Sequence, residues 1–233
     1  MSIGGVPLRV VSYNVHAQRD DTATLAEVVR AARPDVVIVQ EGPRRFRWRA
    51  RCAALAESFG LVVGAGGLPA LGNLILTNLR VRVADTYCER FPLTPGRHLR
   101  GAAFAECVVG GARFVVAGSH LATDPTERPG QAELLRKEIE SARWPVIVGA
   151  DLNEGPGGAA WRTIADGLTD TAVAADRADR LTYSCANPSR RIDAIFVDPR
   201  ITVVDYDVVD TPQTRRASDH FPVLVDLLLP VTD

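Results

Sequence analysis

Cysteine is scarce here and never closely paired. Cys52, Cys88, Cys107 and Cys185 are spread over 233 residues, and no two form a C-x-x-C motif. A zinc knuckle or a thiol redox motif therefore has no support. No basic segment leading into a long apolar core is present near the N-terminus, so no secretory signal is read. The cysteines are then expected as reduced thiols packed like small apolar residues. No apolar run reaches bilayer length, since Phe221 to Leu229 is broken by Pro222 and Asp226. The expectation is a soluble cytoplasmic protein, a monomer with no protein partner evident. A strong excess of positive charge is also missing: the formal net charge is −1, which is not the signature of a dedicated nucleic-acid binder. There is no G-x-x-x-x-G-K-S/T loop and no kinase signature, which disfavours transfer from a nucleoside triphosphate. There is no G-x-S-x-G elbow either, which leaves water as the expected nucleophile. No internal repeat or low-complexity linker divides the chain, so one domain over residues 1–233 is expected.

What is present is a set of apolar runs with reactive ends. Val10-Val-Ser-Tyr stops at Asn14, Val36-Val-Ile-Val-Gln at Glu41, Phe114-Val-Val-Ala-Gly-Ser at His120, and Val146-Ile-Val-Gly-Ala at Asp151 followed by Asn153. Residues at i and i+2 of an extended chain share a side, so Asp151 and Asn153 face one point beyond a buried strand. Arg191-Ile-Asp193 adds a carboxylate inside a strand-like run, and Ser218-Asp219-His220 sets a carboxylate beside an imidazole. Each has a structural alternative: Glu41 as a helix cap, Asn14 as a turn residue, Asp193 as partner of Arg190 or Arg191, Asp219 as a cap or turn residue. A lone His120 is also more often a structural hydrogen-bonder. The joint occurrence is the signal, because buried polar groups cost free energy unless partnered. His16, His98, Trp48 and Trp144 carry no such support and are read as structural.

Strands are read at 8–13, 36–40, 61–63, 73–77, 80–86, 102–109, 113–119, 146–149, 191–197, 201–209 and 223–229, with a hairpin turn at Gly110-Gly111. Helices are read before Pro34, from Arg47 to Phe59 and from Gln131 to Ser141. Helices alternating with strands in some regions and hairpins in others predict an α/β or α+β fold with much antiparallel pairing. Oxygen donors on Glu41 and Asp219, with Asn14 as an extra, suit a hard divalent cation that keeps waters and takes substrate oxygens. Zinc would call for more histidine or cysteine.

The ordered strings SYNVH, VVIVQE, LGNLIL, GSHL, GADLNEGP, RIDAIFV and SDHFPV resemble the endonuclease/exonuclease/phosphatase superfamily. That group holds DNase I-like nucleases, abasic-site endonucleases, neutral sphingomyelinases, inositol polyphosphate 5-phosphatases and deadenylases. Ala150 and Ala194 stand where the family usually carries Gly and Tyr. The resemblance implies a four-layer α/β/β/α sandwich, DNase I-like, with two packed, mostly antiparallel mixed sheets. It implies a phosphoester hydrolase using Mg²⁺ or Mn²⁺. Carried over, Glu41 binds metal with Asn14 and Asp219 nearby, Asp151 orients or deprotonates water, and Asn153 positions it. His220 contacts the phosphate or acts as base, held by Asp193, while His120 donates to a phosphoryl oxygen. Which of Asp151 and His220 takes the proton stays open. Asn73, Arg100, Arg45 and Arg216 are the candidate substrate-binding groups. His120 resembles the DNase I, sphingomyelinase and phosphatase branches rather than the abasic-site enzymes. The expected substrate is a phosphodiester of DNA or RNA. The alternatives are a phosphatase or phospholipase-like enzyme acting on a small or lipid phosphoester and, third, a non-catalytic binding module.

Overall fold

A computed structural model describes residues 5–231, so the outermost ends of the expected domain lie outside the described residues. The strands are β1 (Gly5–Asn14), β2 (Val36–Gln40), β3 (Val62–Gly66), β4 (Leu74–Thr77), β5 (Arg82–Arg90), β6 (Gly101–Val109), β7 (Ala112–His120), β8 (Val146–Asp151), β9 (Thr169–Asp170), β10 (Asp193–Val197), β11 (Thr202–Val208) and β12 (Val223–Pro230). The main helices are α1 (Thr22–Ala32), α2 (Trp48–Phe59), α3 (Arg128–Ser141) and α4 (Ala159–Ala165), with short helices α5 (Thr171–Ala174) and α6 (Thr214–Ala217).

Two six-stranded sheets result, ordered β11-β12-β1-β2-β4-β3 and β5-β6-β7-β8-β10-β9. Among the described residues, only β1–β2 and β7–β8 pair in parallel; every other neighbouring pair is antiparallel. The period-two side-chain alternation of a strand explains the layering. Val10, Val36, Ile38 and Ile75 face inward and meet Ala105, Phe114, Val116, Ile147 and Ile195 of the second sheet. Their neighbours Val11, Val37, Val39 and Leu76 face outward and are covered by Leu25 and Val29 of α1 and Leu55 and Phe59 of α2. On the far side, Val115, Ala117, Val148 and Phe196 are covered by Leu135 and Ile139 of α3 and Trp161 and Ile164 of α4. Strands buried on both faces read as unbroken apolar runs, which is how they stand out in the sequence. The result is a four-layer α/β/β/α sandwich.

Local chemistry sets the ends. Asp21 caps α1 by accepting the Thr24 amide at 3.0 Å, and Arg33 closes it in a left-handed conformation ahead of Pro34. Gly60, at φ 74°, stops α2. Gly110 and Gly111 both have positive φ, as a tight hairpin between β6 and β7 requires. Several boundaries differ from expectation by one to four residues, and two of them have a clear local cause. Helix α3 starts at Arg128, not Gln131, because Pro129 fits a first helical turn. The strand expected from Arg80 begins at Arg82, because Asn78 Oδ1 accepts the Arg80 amide and Arg80 pairs with Asp35, forming a turn.

Candidate active site

The two parallel pairs place four strand ends on one edge. Asn14 ends β1 opposite Gln40 of β2, and His120 ends β7 opposite Asp151 of β8. β10 runs antiparallel to β8 and starts at Asp193, also opposite Asp151. β12 runs antiparallel to β1 with Val223 opposite Ser12, which brings the preceding His220 to the same edge. A cleft of about 490 Å³ opens there, lined by Asn14, Glu41, His120, Asp151, Asn153, Asp219 and His220 together with Arg100 and Tyr183.

Asp151 is the hub and is 1% exposed. Its Oδ2 accepts from Asn14 Nδ2 at 2.9 Å and lies 3.3 Å from His120 Nε2 and 3.7 Å from His220 Nε2. Its Oδ1 accepts the Asn153 backbone N–H at 3.0 Å. The two histidines have opposite partners. His220 Nδ1 donates to Asp193 at 2.9 Å. Burial opposes its charge, but Asp193, by attraction and by hydrogen bond, with Asp151 and Asp219 behind it, raises its pKa to about 10. His120 Nδ1 instead accepts from the guanidinium of Arg100 at 3.1 Å. A guanidinium has no acceptor, so the His120 ring proton belongs on Nε2, facing Asp151. Burial lowers the His120 pKa to about 3, and attraction to Asp151 does not offset it. The Asn153 amide nitrogen donates to the Leu121 carbonyl at 3.0 Å and stands 2.9 Å from His120 Nε2, which as the protonated nitrogen does not accept from it.

Three residues at this rim hold left-handed backbone: Glu41 at φ 57°, Asn153 at φ 52° and His16 at φ 45°. Such conformations cost on the order of 1 kcal/mol for residues other than glycine and collect at functional sites. The donor set fits a hard divalent cation. Asp219 Oδ1 is buried with no hydrogen-bond partner among the described residues, and a buried orphan carboxylate oxygen calls for a cation or water. The Glu41 carboxylate, 3.9 Å from His120 Nδ1, faces the same cleft. Asn14 fits less well as a ligand, because its Oδ1 already accepts the His16 amide at 3.0 Å.

The remaining expected residues divide. Arg100 lines the cleft but is buried against His120, not extended toward solvent. Asn73 is not among the residues that line the cleft; its amide nitrogen ties Ala70 to Gly101 through two 2.8 Å hydrogen bonds, and its Oδ1 is buried with no hydrogen-bond partner among the described residues. Arg45 lines a neighbouring hollow. Arg216 lies in α6, exposed and outside the cleft, with its carbonyl accepting the Asp21 amide. Its neighbour Arg215 is committed to Asp210 at 2.7 Å. Conversely, His16 and His98, read as structural, both line the cleft, as do Arg19, Arg44 and Arg190. His16 had one available signal, its place two residues past a reactive strand end; His98 and Arg19 had none.

The profile of the Endonuclease/Exonuclease/phosphatase family matches residues 11–220. The chain belongs to this family. Members of the endonuclease/exonuclease/phosphatase family are divalent-metal-dependent phosphoesterases, and this member carries a buried Asp151–Asp193–His220 cluster. Solved structures share the fold. An endonuclease/exonuclease/phosphatase family protein from Bacteroides thetaiotaomicron is 21% identical, with 97% of this chain and 99% of that one covered at a TM-score of 0.81. A mannosyl-6-phosphatase from the same organism is 18% identical, with 94% and 99% covered at 0.80. D. rerio TDP2, complexed with a single-strand DNA product, is 20% identical, with 95% and 98% covered at 0.74. No curated protein matches the chain. No described helix is long and apolar enough to cross a membrane.

Proposed function

We propose that this chain is a divalent-metal-dependent phosphodiesterase that cleaves nucleic acid by in-line attack of water on phosphorus. The observation that supports this most directly is Asp151, buried and surrounded by Asn14, His120, Asn153 and His220 at one strand edge. Glu41 and Asp219, with Asn14 as a weaker third donor, would hold the Mg²⁺ or Mn²⁺. When bound, that ion supplies Lewis acidity at a phosphoryl oxygen.

The other steps fall to the chain's own groups. Asn14 Nδ2 fixes one oxygen of Asp151 and the Asn153 amide fixes the other, so the carboxylate is aimed before substrate arrives. Asp151 takes the proton of the attacking water. His220, carrying two protons under the pull of Asp193, is a donor and not an acceptor. It donates Nε2–H to a phosphoryl oxygen as charge develops. His120 keeps its Nε2 proton because Arg100 occupies Nδ1, and it donates as a neutral group.

Asp151→Asn should lower kcat by about three orders of magnitude or more with the fold retained, since the carboxamide keeps the shape but cannot take a proton. Chelation should abolish turnover on a Mg²⁺-loaded panel of single-stranded DNA, RNA, inositol phosphates, sphingomyelin and an aryl phosphodiester. Near-normal cleavage by Asp151→Asn, or activity that persists in excess EDTA, overturns the assignment. Activity confined to inositol phosphates or sphingomyelin would move the reading to a phosphatase or phospholipase-like enzyme.

A further inference from the structure

Beside the cleft lies a second hollow of about 340 Å³, lined by Arg19, Arg44, Arg45, Arg51 and Glu41. It shares Arg19, Glu41 and Arg44 with the cleft, so the two are continuous. Four guanidinium groups thus meet a single carboxylate. Nine arginines elsewhere, Arg9, Arg80, Arg97, Arg128, Arg136, Arg180, Arg191, Arg200 and Arg215, lie within ion-pair distance of a carboxylate, while others such as Arg82 and Arg113 stand singly on the surface; what marks the hollow is four guanidinium groups lining one concavity. Among the described residues, Arg19, Arg45 and Arg51 have no such partner, and Arg44 donates only to the Leu71 carbonyl at 3.0 Å. Helix α2, which carries Arg51, begins with no side-chain cap and no acid in its first turn, so the helix itself adds no negative group to set against the arginines. Next to Arg45 stands Phe46, 86% exposed, a large apolar face left in water.

We propose that this hollow is a second phosphate subsite, one step along the strand from the scissile phosphate, and that Phe46 stacks on an adjoining base. Clustered arginines grip phosphate oxygens through charge-assisted, often bidentate hydrogen bonds. A basic furrow with an aromatic platform is the arrangement that holds a single strand without reading its sequence. The inference deepens the phosphodiesterase reading and rests on it for the position of the scissile phosphate. The left-handed run His16–Ala17–Gln18 carries the chain from the end of β1 to Arg19, placing that side chain where cleft and hollow join.

The test is binding, so it does not depend on turnover. Metal-free protein is titrated against a fluorescein-labelled single-stranded oligonucleotide by anisotropy over a range of salt. Arg45→Ala/Arg51→Ala should bind at least about tenfold more weakly. Its log–log salt slope should be shallower by about 0.7 for each phosphate the variant no longer neutralises. Phe46→Ala should weaken strand binding by about fivefold or more with the slope kept. Arg45 and Arg51 are exposed, and Arg45→Gln/Arg51→Gln serves if the alanine pair perturbs the fold. Unchanged affinity and slope in a folded double variant overturn the subsite. Weakened binding of inositol hexakisphosphate, with no effect of Phe46→Ala on the strand, overturns the strand and gives the second phosphate to a small polyol. Asp151→Asn separates the two claims: if it still cleaves, the catalytic reading fails while the binding result on the hollow stands.

Discussion

Two histidines that are neighbours across one carboxylate do different work because one faces an anion and the other a cation. Asp193 sits 2.9 Å from His220 Nδ1, whereas Arg100 sits 3.1 Å from His120 Nδ1. The carboxylate orients His220 and favours its charged form, which lets Nε2 donate toward substrate. Asp193→Asn removes that charge while nearly preserving the shape. The amide can also present its nitrogen to Nδ1, turning the ring toward the wrong tautomer. We expect kcat to fall by about 10²–10⁴ with KM little changed. We also expect the alkaline limb of the pH–rate profile to move to lower pH, since the chief group raising His220 is gone. A wild-type profile in Asp193→Asn would show that His220 acts without its partner. At this scale most of the site is legible from residue type at strand ends. Asn73 is picked out by its string's resemblance to a family motif, and in the fold its amide nitrogen bridges two backbone carbonyls outside the cleft lining.

At the level of elements, the site is only as accurate as the contact between the sheets. Ile38 of β2 projects onto two glycines of the opposite sheet, Gly118 of β7 and Gly149 of β8. A Cβ at Gly149 would stand 2.6 Å from Ile38 Cδ1, and one at Gly118 would stand 2.7 Å from Ile38 Cγ2. Gly149 precedes Asp151 by two residues, so a forced shift there displaces the hub carboxylate. Gly149→Ala should cost about 1–3 kcal/mol from overpacking. Ile38→Val should cost about 0.5–1.5 kcal/mol by lost burial, since valine lacks Cδ1. Because that methyl is the nearest obstacle, with Ser12 Oγ at 3.0 Å and Ile38 Cβ at 3.2 Å remaining, the double variant should cost less than the sum, with a favourable coupling of about 0.5 kcal/mol or more by denaturant titration. Strict additivity would mean the sheets yield elsewhere. The elements themselves are legible where both faces are buried, as in Val36–Gln40, because the apolar run is continuous. The two-residue β9 and four-residue α5 and α6 are not, since so short a segment carries no period. The pairing of β1 with both β2 and β12, which sets the converging edge, is a long-range property absent from any local window.

For the whole molecule, the same two histidines shape how stability depends on pH. An ordinary histidine titrates near 6.5 in the unfolded chain, and the fold moves His120 to about 3 and His220 to about 10. Below pH 6.5 the unfolded chain protonates His120 while the folded chain resists. Stability is then lost as pH falls from 6.5 toward 3. Above pH 6.5 the folded chain keeps the His220 proton that the unfolded chain releases. Stability from that pairing, complete below 6.5, is lost as pH rises toward 10. Each group contributes a slope of at most about 1.4 kcal/mol per pH unit within its window. Metal-free protein should therefore be most stable near neutrality as far as these groups decide it, and weaken on both sides. Urea denaturation at constant ionic strength from pH 4 to 10 measures the curve. His120→Gln should flatten the limb between 6.5 and 4 and leave the alkaline limb intact. His220→Gln should do the reverse. An alkaline slope equal in wild type and His220→Gln would mean that Asp193 does not hold the imidazole charged, and the donor role of His220 would fall with it.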